Sequence, residues 1–302
     1  MKRSKGMDHD LYPYSAIVER QPFRLEDHKI GVCVVLHVEH YELQAPPDSY
    51  RDPRFSGEFG TFDPEFRNWT ARDYGNRVGI YRIFDLLDRM GIAPTVALGA
   101  AVTQTHPELV EEIKSRGWEV AAHGFSSNRM ITSKMSENEE RDFIVECRRQ
   151  LVTATGKEPE GWLGQDYGGT ERTPSLLAEA DFLYTLDWSN DDLPYWLKAS
   201  GKARGIVSIP APAELDDVQN IWLRRVAPDR FPGLCRDMLD GVSRTNSTRV
   251  LSLGVHPWVF GAPHRIRYLQ QTLEVLQNFP DLLITTASHI ANEYKTQSPE
   301  EY

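Results

Sequence analysis

Five titratable side chains stand where a chain would put them to do chemistry. The stretch "VVLHVEHYEL" (34–43) begins as an apolar run and ends with His37, Glu39 and His40. His123 closes "WEVAAHG", and His256 lies at the end of "RVLSLGVHP". A carboxylate and imidazoles that meet can divide a hydrolysis between them, one taking a proton from water while another protonates the leaving group. Any one of these histidines alone reads as a cap on its own strand. Three strands ending alike point to a common pocket.

Within that pocket Glu39 is the expected base, because apolar flanks at a strand end desolvate a carboxyl and raise its pKa. His256, with Pro257 fixing the chain behind it, is the expected acid. His40 and His123 are candidate metal ligands. Zinc catalytic sites take three protein donors and keep one position open. The third donor stays open between Glu39, His37 and a hydroxyl of Ser126 or Ser127. A divalent metal such as zinc and a metal-independent site both fit the residues; without the metal, backbone N–H groups and side chains must hold the oxyanion. Recognition of a substrate falls to Trp162, Gln165 and Tyr167, and to Asp191, Asp192 and Trp196 of "NDDLPYW". The two aspartates read as acceptors for ring N–H groups or as orienters of His256, and equally as turn residues ahead of Pro194. Arg77 is placed either at the site or against a neighbouring subunit.

The elements that must position these groups follow from hydrophobic period. Lys29–Val38 is a strand whose alternation sets Cys33, Val35, His37 and Glu39 on one face. "YGNRVGIYRIFDLLDRMGI" carries a helix face through Val78, Ile83, Leu86, Leu87 and Met90, closed by Gly91. "PTVALG", "WEVAAHG", "GWLG", "FLYTLDW", "GIVSIPA", "RVLSLGVHP" and "LLITTA" read as further strands. "HPELVEEIKSRG", "SENEERDFIVECRRQLVTATG", "TPSLLAEAD", "PGLCRDMLDGVSR" and "HRIRYLQQTLEVLQNF" read as helices between them, the second with a loose capping box at Ser136. Strand and helix alternate with short connections, which predicts an α/β fold with a parallel sheet of βα units. In such folds the loops at the carboxyl ends of strands build the site. Residues 1–28 form an irregular arm wrapping an edge or a neighbouring subunit, and 29–302 a single domain. The Pro- and Gly-rich stretch 44–68 reads as a lid, a binding loop or an interface.

The chain has 302 residues, 40% of them hydrophobic and 26% charged. Its formal net charge of −10 and pI near 5.4 argue against nucleic acid and anionic membranes as partners. No apolar stretch follows the basic start "MKRSKGMDHDLYPYS", and Cys33, Cys147 and Cys235 are odd in number and widely spaced. The expectation is a cytoplasmic protein with reduced thiols.

Together "YGNRVGIYRIFDLLDRMGI", "VAAHG", "GWLG", "NDDLPYW" and "HPWVFGAPHR" make the chain resemble the NodB-homology family of polysaccharide deacetylases from about residue 29 to 293. It looks closest to the branch of intracellular allantoinases, cyclic-imide hydrolases and the related peptidoglycan deacetylase. The resemblance implies a distorted (β/α)7 barrel. It also implies a small-molecule substrate and a homo-oligomer, the tetramer being the form that relatives in the branch tend to take. Departures are specific. Glu39 and His40 stand where the family has Asp-Asp, Ser127 where it has a second metal histidine, and Leu163 where it has an arginine steadying the base. The expected activity is therefore hydrolysis of a C–N bond in a small cyclic amide: an imide, a ureide or an allantoin-like ring. The alternatives are N-deacetylation of an acetylated sugar or peptidoglycan fragment, and a catalytically silent barrel that binds a ligand.

Overall fold

The apolar run at the head of the opening motif becomes β1 (Ile30–Val38), buried along its whole length. Its residues divide by alternation: Cys33 and Val35 pack into the inner core, while Val32, Val34, Leu36 and Val38 pack outward with the helices. The computed structural model describes residues 7–50, 64–200 and 204–300. The middle of the 44–68 stretch and the start of the arm therefore lie outside the described residues.

After β1 the chain forms α1 (Phe66–Tyr74), a π turn (Gly75–Gly79) and α2 (Ile80–Met90) as one continuous helical run. Then come β2 (Thr95–Leu98), α3 (Val102–Thr105), α4 (Pro107–Ser115), β3 (Glu119–Ala122) and α5 (Glu137–Thr155). Ser136 and Glu139 close a full capping box on α5, and Gly156, with φ of 73°, ends it in the left-handed region. β4 (Gly161–Trp162), α6 (Thr173–Glu179), β5 (Tyr184–Thr185), β6 (Tyr195–Leu197) and β7 (Ile206–Ser208) follow. The chain ends with α7 (Phe231–Val242), β8 (Arg249–Val255), α8 (Ile266–Gln277), β9 (Leu282–Thr285) and α9 (Ala287–Gln297).

The sheet runs β6-β7-β5-β4-β3-β2-β1-β8, with β9 also paired to β1. Every pairing is parallel except β6 with β7. One edge of β1 carries β8. The other is shared, with β9 against Ile30–Cys33 and β2 against Val35–Val38. The sheet curls into an incomplete barrel of the NodB-homology kind, the expected α/β architecture. The gap beside β8 is bridged locally: Asp216 pairs with Gly254, Ser252 Oγ donates to the Pro210 carbonyl, and Val250 N donates to the Asp192 carbonyl.

β6 adds to the sequence reading, which gave "NDDLPYW" to substrate recognition and assigned it no strand. Tyr195–Leu197 are β-formers just after Pro194, and they make a short antiparallel edge strand, the position at which proline punctuation is tolerated. The arm packs on this chain's own barrel among the described residues. Phe23 and Leu25 are buried in the inner core, Arg20 pairs with Asp191 at 2.6 Å, and Lys198 N donates to the Leu11 carbonyl just past β6. Covering that edge satisfies backbone groups that would otherwise template aggregation. No helix among the described residues is long and apolar enough to cross a membrane.

Candidate active site

The inward row of β1 continues past the core and delivers His37 and Glu39 to the carboxyl end of the barrel. β3 delivers His123 there and β8 delivers His256. All four are buried and line one pocket with Arg72, Ser127, Gln165, Tyr167, Asp216 and Trp258. The space between them is narrow, about 40 Å³, and opens to solvent at the mouth.

The imidazoles are tightly placed. His37 and His256 stack with centroids 3.9 Å apart and 20° between planes. His123 Nδ1 donates to the Leu163 carbonyl at 2.7 Å, which turns Nε2 inward, 3.2 Å from His37 Nδ1 and 3.3 Å from Glu39 Oε1. His256 is gripped twice by Asp217: its backbone N–H donates to Oδ2 at 2.9 Å and its Nδ1 to Oδ1 at 2.6 Å. Burial opposes an imidazolium there, but the Asp217 and Asp216 carboxylates overcome it and hold His256 up at about 9. Burial also lifts Asp217 above the ordinary carboxylate range. It stays the more acidic partner, so the proton sits on the imidazole. Burial, followed by the neighbouring His256 and His123, keeps His37 neutral, well below the usual imidazole range.

Glu39 reverses the expectation. Burial alone would raise it, but the His123 hydrogen bond and the fields of His256, His123 and Arg72 hold it down at about 2. The sequence showed the apolar flanks and concealed the cations. Arg72, on α1, reaches the pocket from outside the barrel. Its guanidinium lies 4.4 Å from the Trp258 ring centroid and donates to Asn68 Oδ1 at 2.9 Å.

Close backbone contacts explain the two longest motifs. A Cβ on Gly79 would stand 2.2 Å from the Pro257 carbonyl oxygen, and one on Gly75 would stand 2.8 Å from Trp258 N. Glycines in "YGNRVG" thus let the π turn lie directly on "HPWVFG", fixing the loop that carries His256. From the same turn Asn76 Nδ2 donates to the Glu39 carbonyl at 2.7 Å. Arg77, one residue on, is exposed and pairs with Asp73.

The other sequence candidates divide. Gln165 and Tyr167 line the pocket; Gln165 Nε2 donates to the His123 carbonyl at 2.5 Å, and Tyr167 O–H donates to Asp216 Oδ2 at 3.1 Å. Trp162 does not line it: fully buried on β4, it packs edge-on against Phe182. Asp191, Asp192 and Trp196 lie elsewhere. Asp191 caps the N–H groups of Asp192 and Leu193, the Asp192 carbonyl binds low on β8, and Trp196 Nε1 donates to the Ser298 carbonyl. The turn alternative for Asp191 is the one its contacts fit. His40 also falls outside the pocket. One position past the inward row, its ring turns towards His106, with centroids 5.9 Å apart, while its carbonyl accepts from Ser127 N. Ser126 turns to Glu42, at 2.6 Å.

Asp216, Asp217 and Arg72 were missed. Asp216 alone left a legible signal, Gly254: a glycine inside an otherwise apolar strand marks a close approach. A Cβ there would meet Asp216 Oδ2 at 2.4 Å.

The family implies a metal, and His40 with His123 does not assemble a site for one. His37, Glu39 and His256 do offer three ligand atoms within 4.8 Å of one another. Two imidazoles and a carboxylate, with Asp217 behind His256, are a donor set and an outer partner that suit zinc. The residues present fit such an ion.

Residues 70–182 match the family model described as polysaccharide deacetylase. A peptidoglycan deacetylase of Helicobacter pylori is 23% identical over 256 residues, covering 75% of this chain and 87% of that protein. Among solved structures, the Puue allantoinase superposes with a TM-score of 0.83 at 23% identity, covering 96% of this chain and 99% of that one. A structure described as a probable polysaccharide deacetylase from Pseudomonas aeruginosa gives 0.78 at 24% identity, covering 91% and 94%. The structural likenesses concern the fold, and the family match, from within α1 to just past α6, makes that part of the chain similar to the polysaccharide deacetylases.

Proposed function

We propose that the chain is a hydrolase of C–N bonds other than peptide bonds that opens a small cyclic amide: an imide, a ureide or an allantoin-like ring. The observation that carries this reading is one pocket holding an ionised Glu39 against a His256 imidazolium that Asp217 fixes at 2.6 Å. Water between them adds to the ring carbonyl, giving its proton towards Glu39. The C–N bond breaks as His256 Nε2, the nitrogen that Asp217 leaves available, passes its proton to the departing nitrogen. The two transfers assist each other. The His256 charge is one of the causes that hold Glu39 low, so Glu39 becomes a better base as that charge is given up. Arg72, whose guanidinium lines the pocket, is the group beside the developing oxyanion. A divalent ion held by His37, Glu39 and His256 would take the place of this acid–base pair, since it would occupy His256 Nε2 and the Glu39 carboxylate, and would itself supply polarisation of the carbonyl and a more acidic water.

A ring is favoured over an acetylated polymer because Ser127 and Leu163 stand at the family's second metal histidine and its arginine. A strained or doubly activated carbonyl needs less assistance than an acetamide. Deacetylation of an N-acetylated sugar or peptidoglycan fragment is the second reading, favoured by the family match and by what the H. pylori relative is called. A silent binding barrel leaves the opposed charges of Glu39 and His256 without a use. Purified protein offered cyclic imides, hydantoins, allantoin and N-acetylated sugars separates the three. Ring opening that is lost in both Glu39→Gln and His256→Ala supports the proposal. Acetate release without ring opening transfers it to the second reading, and binding without turnover to the third.

A further inference from the structure

We infer that Asp216 is the specificity-determining residue of this pocket, accepting a hydrogen bond from a ring N–H of the substrate, so that the substrate class is rings with a free N–H beside the carbonyl. The inference rests on the reading of the site as one that takes a cyclic amide.

Asp216 is 3% exposed, yet it lines both the pocket and the small recess beneath His37. A buried carboxylate costs stability unless its lone pairs find donors, and it can accept about four hydrogen bonds. Among the described residues Asp216 has two donors, Gln219 N on Oδ1 at 2.8 Å and the Tyr167 hydroxyl on Oδ2 at 3.1 Å. His37 Nε2 lies 4.0 Å from Oδ2, beyond hydrogen-bond reach, and the His256 ring, within 4.8 Å, is bonded through its Nδ1 to Asp217 instead. Acceptor capacity therefore remains on a group that faces the reaction site.

The surroundings hold it in place for that purpose. Gly254 admits its side chain flat against β8, where any Cβ would collide with Oδ2. Tyr167 reaches it from a turn in which both Asp166 and Tyr167 take left-handed backbone angles, with φ of 46° and 59°. Two consecutive non-glycine residues in that region are strained, and strain of this kind is kept where a site needs the geometry. The strained turn is tied down by Gln165 on the His123 carbonyl and by Gln219 Nε2 on Asp166 Oδ1 at 3.2 Å. Asp216 thus takes over the acceptor role that the sequence had suggested for Asp191 and Asp192, which lie far from the pocket.

The test is a selectivity ratio, which loss of folding or of general activity does not change. Dissociation constants are measured by calorimetry for succinimide and N-methylsuccinimide, and for hydantoin and its N-methyl forms, against the unmodified chain, Asp216→Asn and Tyr167→Phe. The unmodified chain should prefer a free N–H by on the order of 10- to 100-fold, the size of one hydrogen bond to a charged group. Asp216→Asn, which keeps an acceptor for Gln219 N, should shrink that preference to within about threefold. Tyr167→Phe should leave it intermediate. Equal affinity for methylated and unmethylated rings in the unmodified chain, or an unchanged preference in Asp216→Asn, overturns the inference and leaves the hydrolase reading standing. N–H-selective binding without turnover supports the inference and sinks the hydrolase reading. No binding of any ring overturns both.

Discussion

His256 owes its charge state first to Asp217, a residue that does not line the pocket. Asp217 is fully buried and spends both carboxylate oxygens on His256, one on its backbone and one on its ring. Asp217→Asn should therefore leave KM for the preferred ring almost unchanged and lower kcat by about 100-fold or more, since both the tautomer and the ring orientation are set by this contact. Steady-state kinetics on a variant whose circular dichroism matches the unmodified chain reads the split; an unchanged kcat removes Asp217 from the mechanism. Metal ligation belongs to the same scale. Zinc titrated by calorimetry against His40→Ala should bind as it does to the unmodified chain, whereas His37→Ala should weaken it by about 10-fold or more. The reverse order would restore the family's own ligand position.

At the scale of elements, the site depends on backbones that approach without side chains between them. Gly75 and Gly79 let the π turn rest on Pro257 and Trp258, and Gly254 lets Asp216 cross the gap beside β8. Gly79→Ala should force the turn off the His256 loop. The expected result is an unfolding midpoint lower by an amount worth about 1–3 kcal/mol, together with a loss of activity larger than the stability change explains. Thermal melts and kcat on one preparation measure both. Much of this architecture could be read from residue order. Alternation on β1 put His37 and Glu39 on one inward row, and the ends of three strands named His123 and His256. What could not be read was which chain segment would meet which. His40 is adjacent to Glu39, yet it turns away because strand geometry ends there. "NDDLPYW" offered acids and aromatics in a motif, yet it became an edge strand. The acids that do reach the pocket sit in "AELDDVQN", whose neighbourhood is fixed by a long-range bridge to Gly254. Such a contact leaves no periodicity to detect. The low value of Glu39 was hidden likewise, because the groups that lower it arrive from β3, β8 and α1.

For the whole molecule, chemistry and stability occupy opposite ends of the barrel. The reactive groups lie at the carboxyl ends of β1, β3 and β8. The arm's Phe23 is buried at the other end, its backbone bonded to Ser247 and Thr248 ahead of β8 and its ring against Tyr294. Phe23→Ala should cost about 3–5 kcal/mol in denaturant unfolding, the usual range for a buried phenylalanine, and leave the N–H selectivity of the folded fraction unchanged. A shift in that selectivity would show that the two ends communicate.

The strand that carries Glu39 is also among the earliest to be synthesised, and three of its neighbours come later. One flank must wait for β8 and part of the other for β9, both from the far end of the chain. A nascent polypeptide emerging from the ribosome thus presents nine consecutive core residues with one side bare until translation is almost finished. Pairings so remote in sequence are slow to close, and a naked apolar edge is what chaperones bind and aggregates recruit. Premature termination anywhere before residue 249 should yield an insoluble product instead of a weak enzyme.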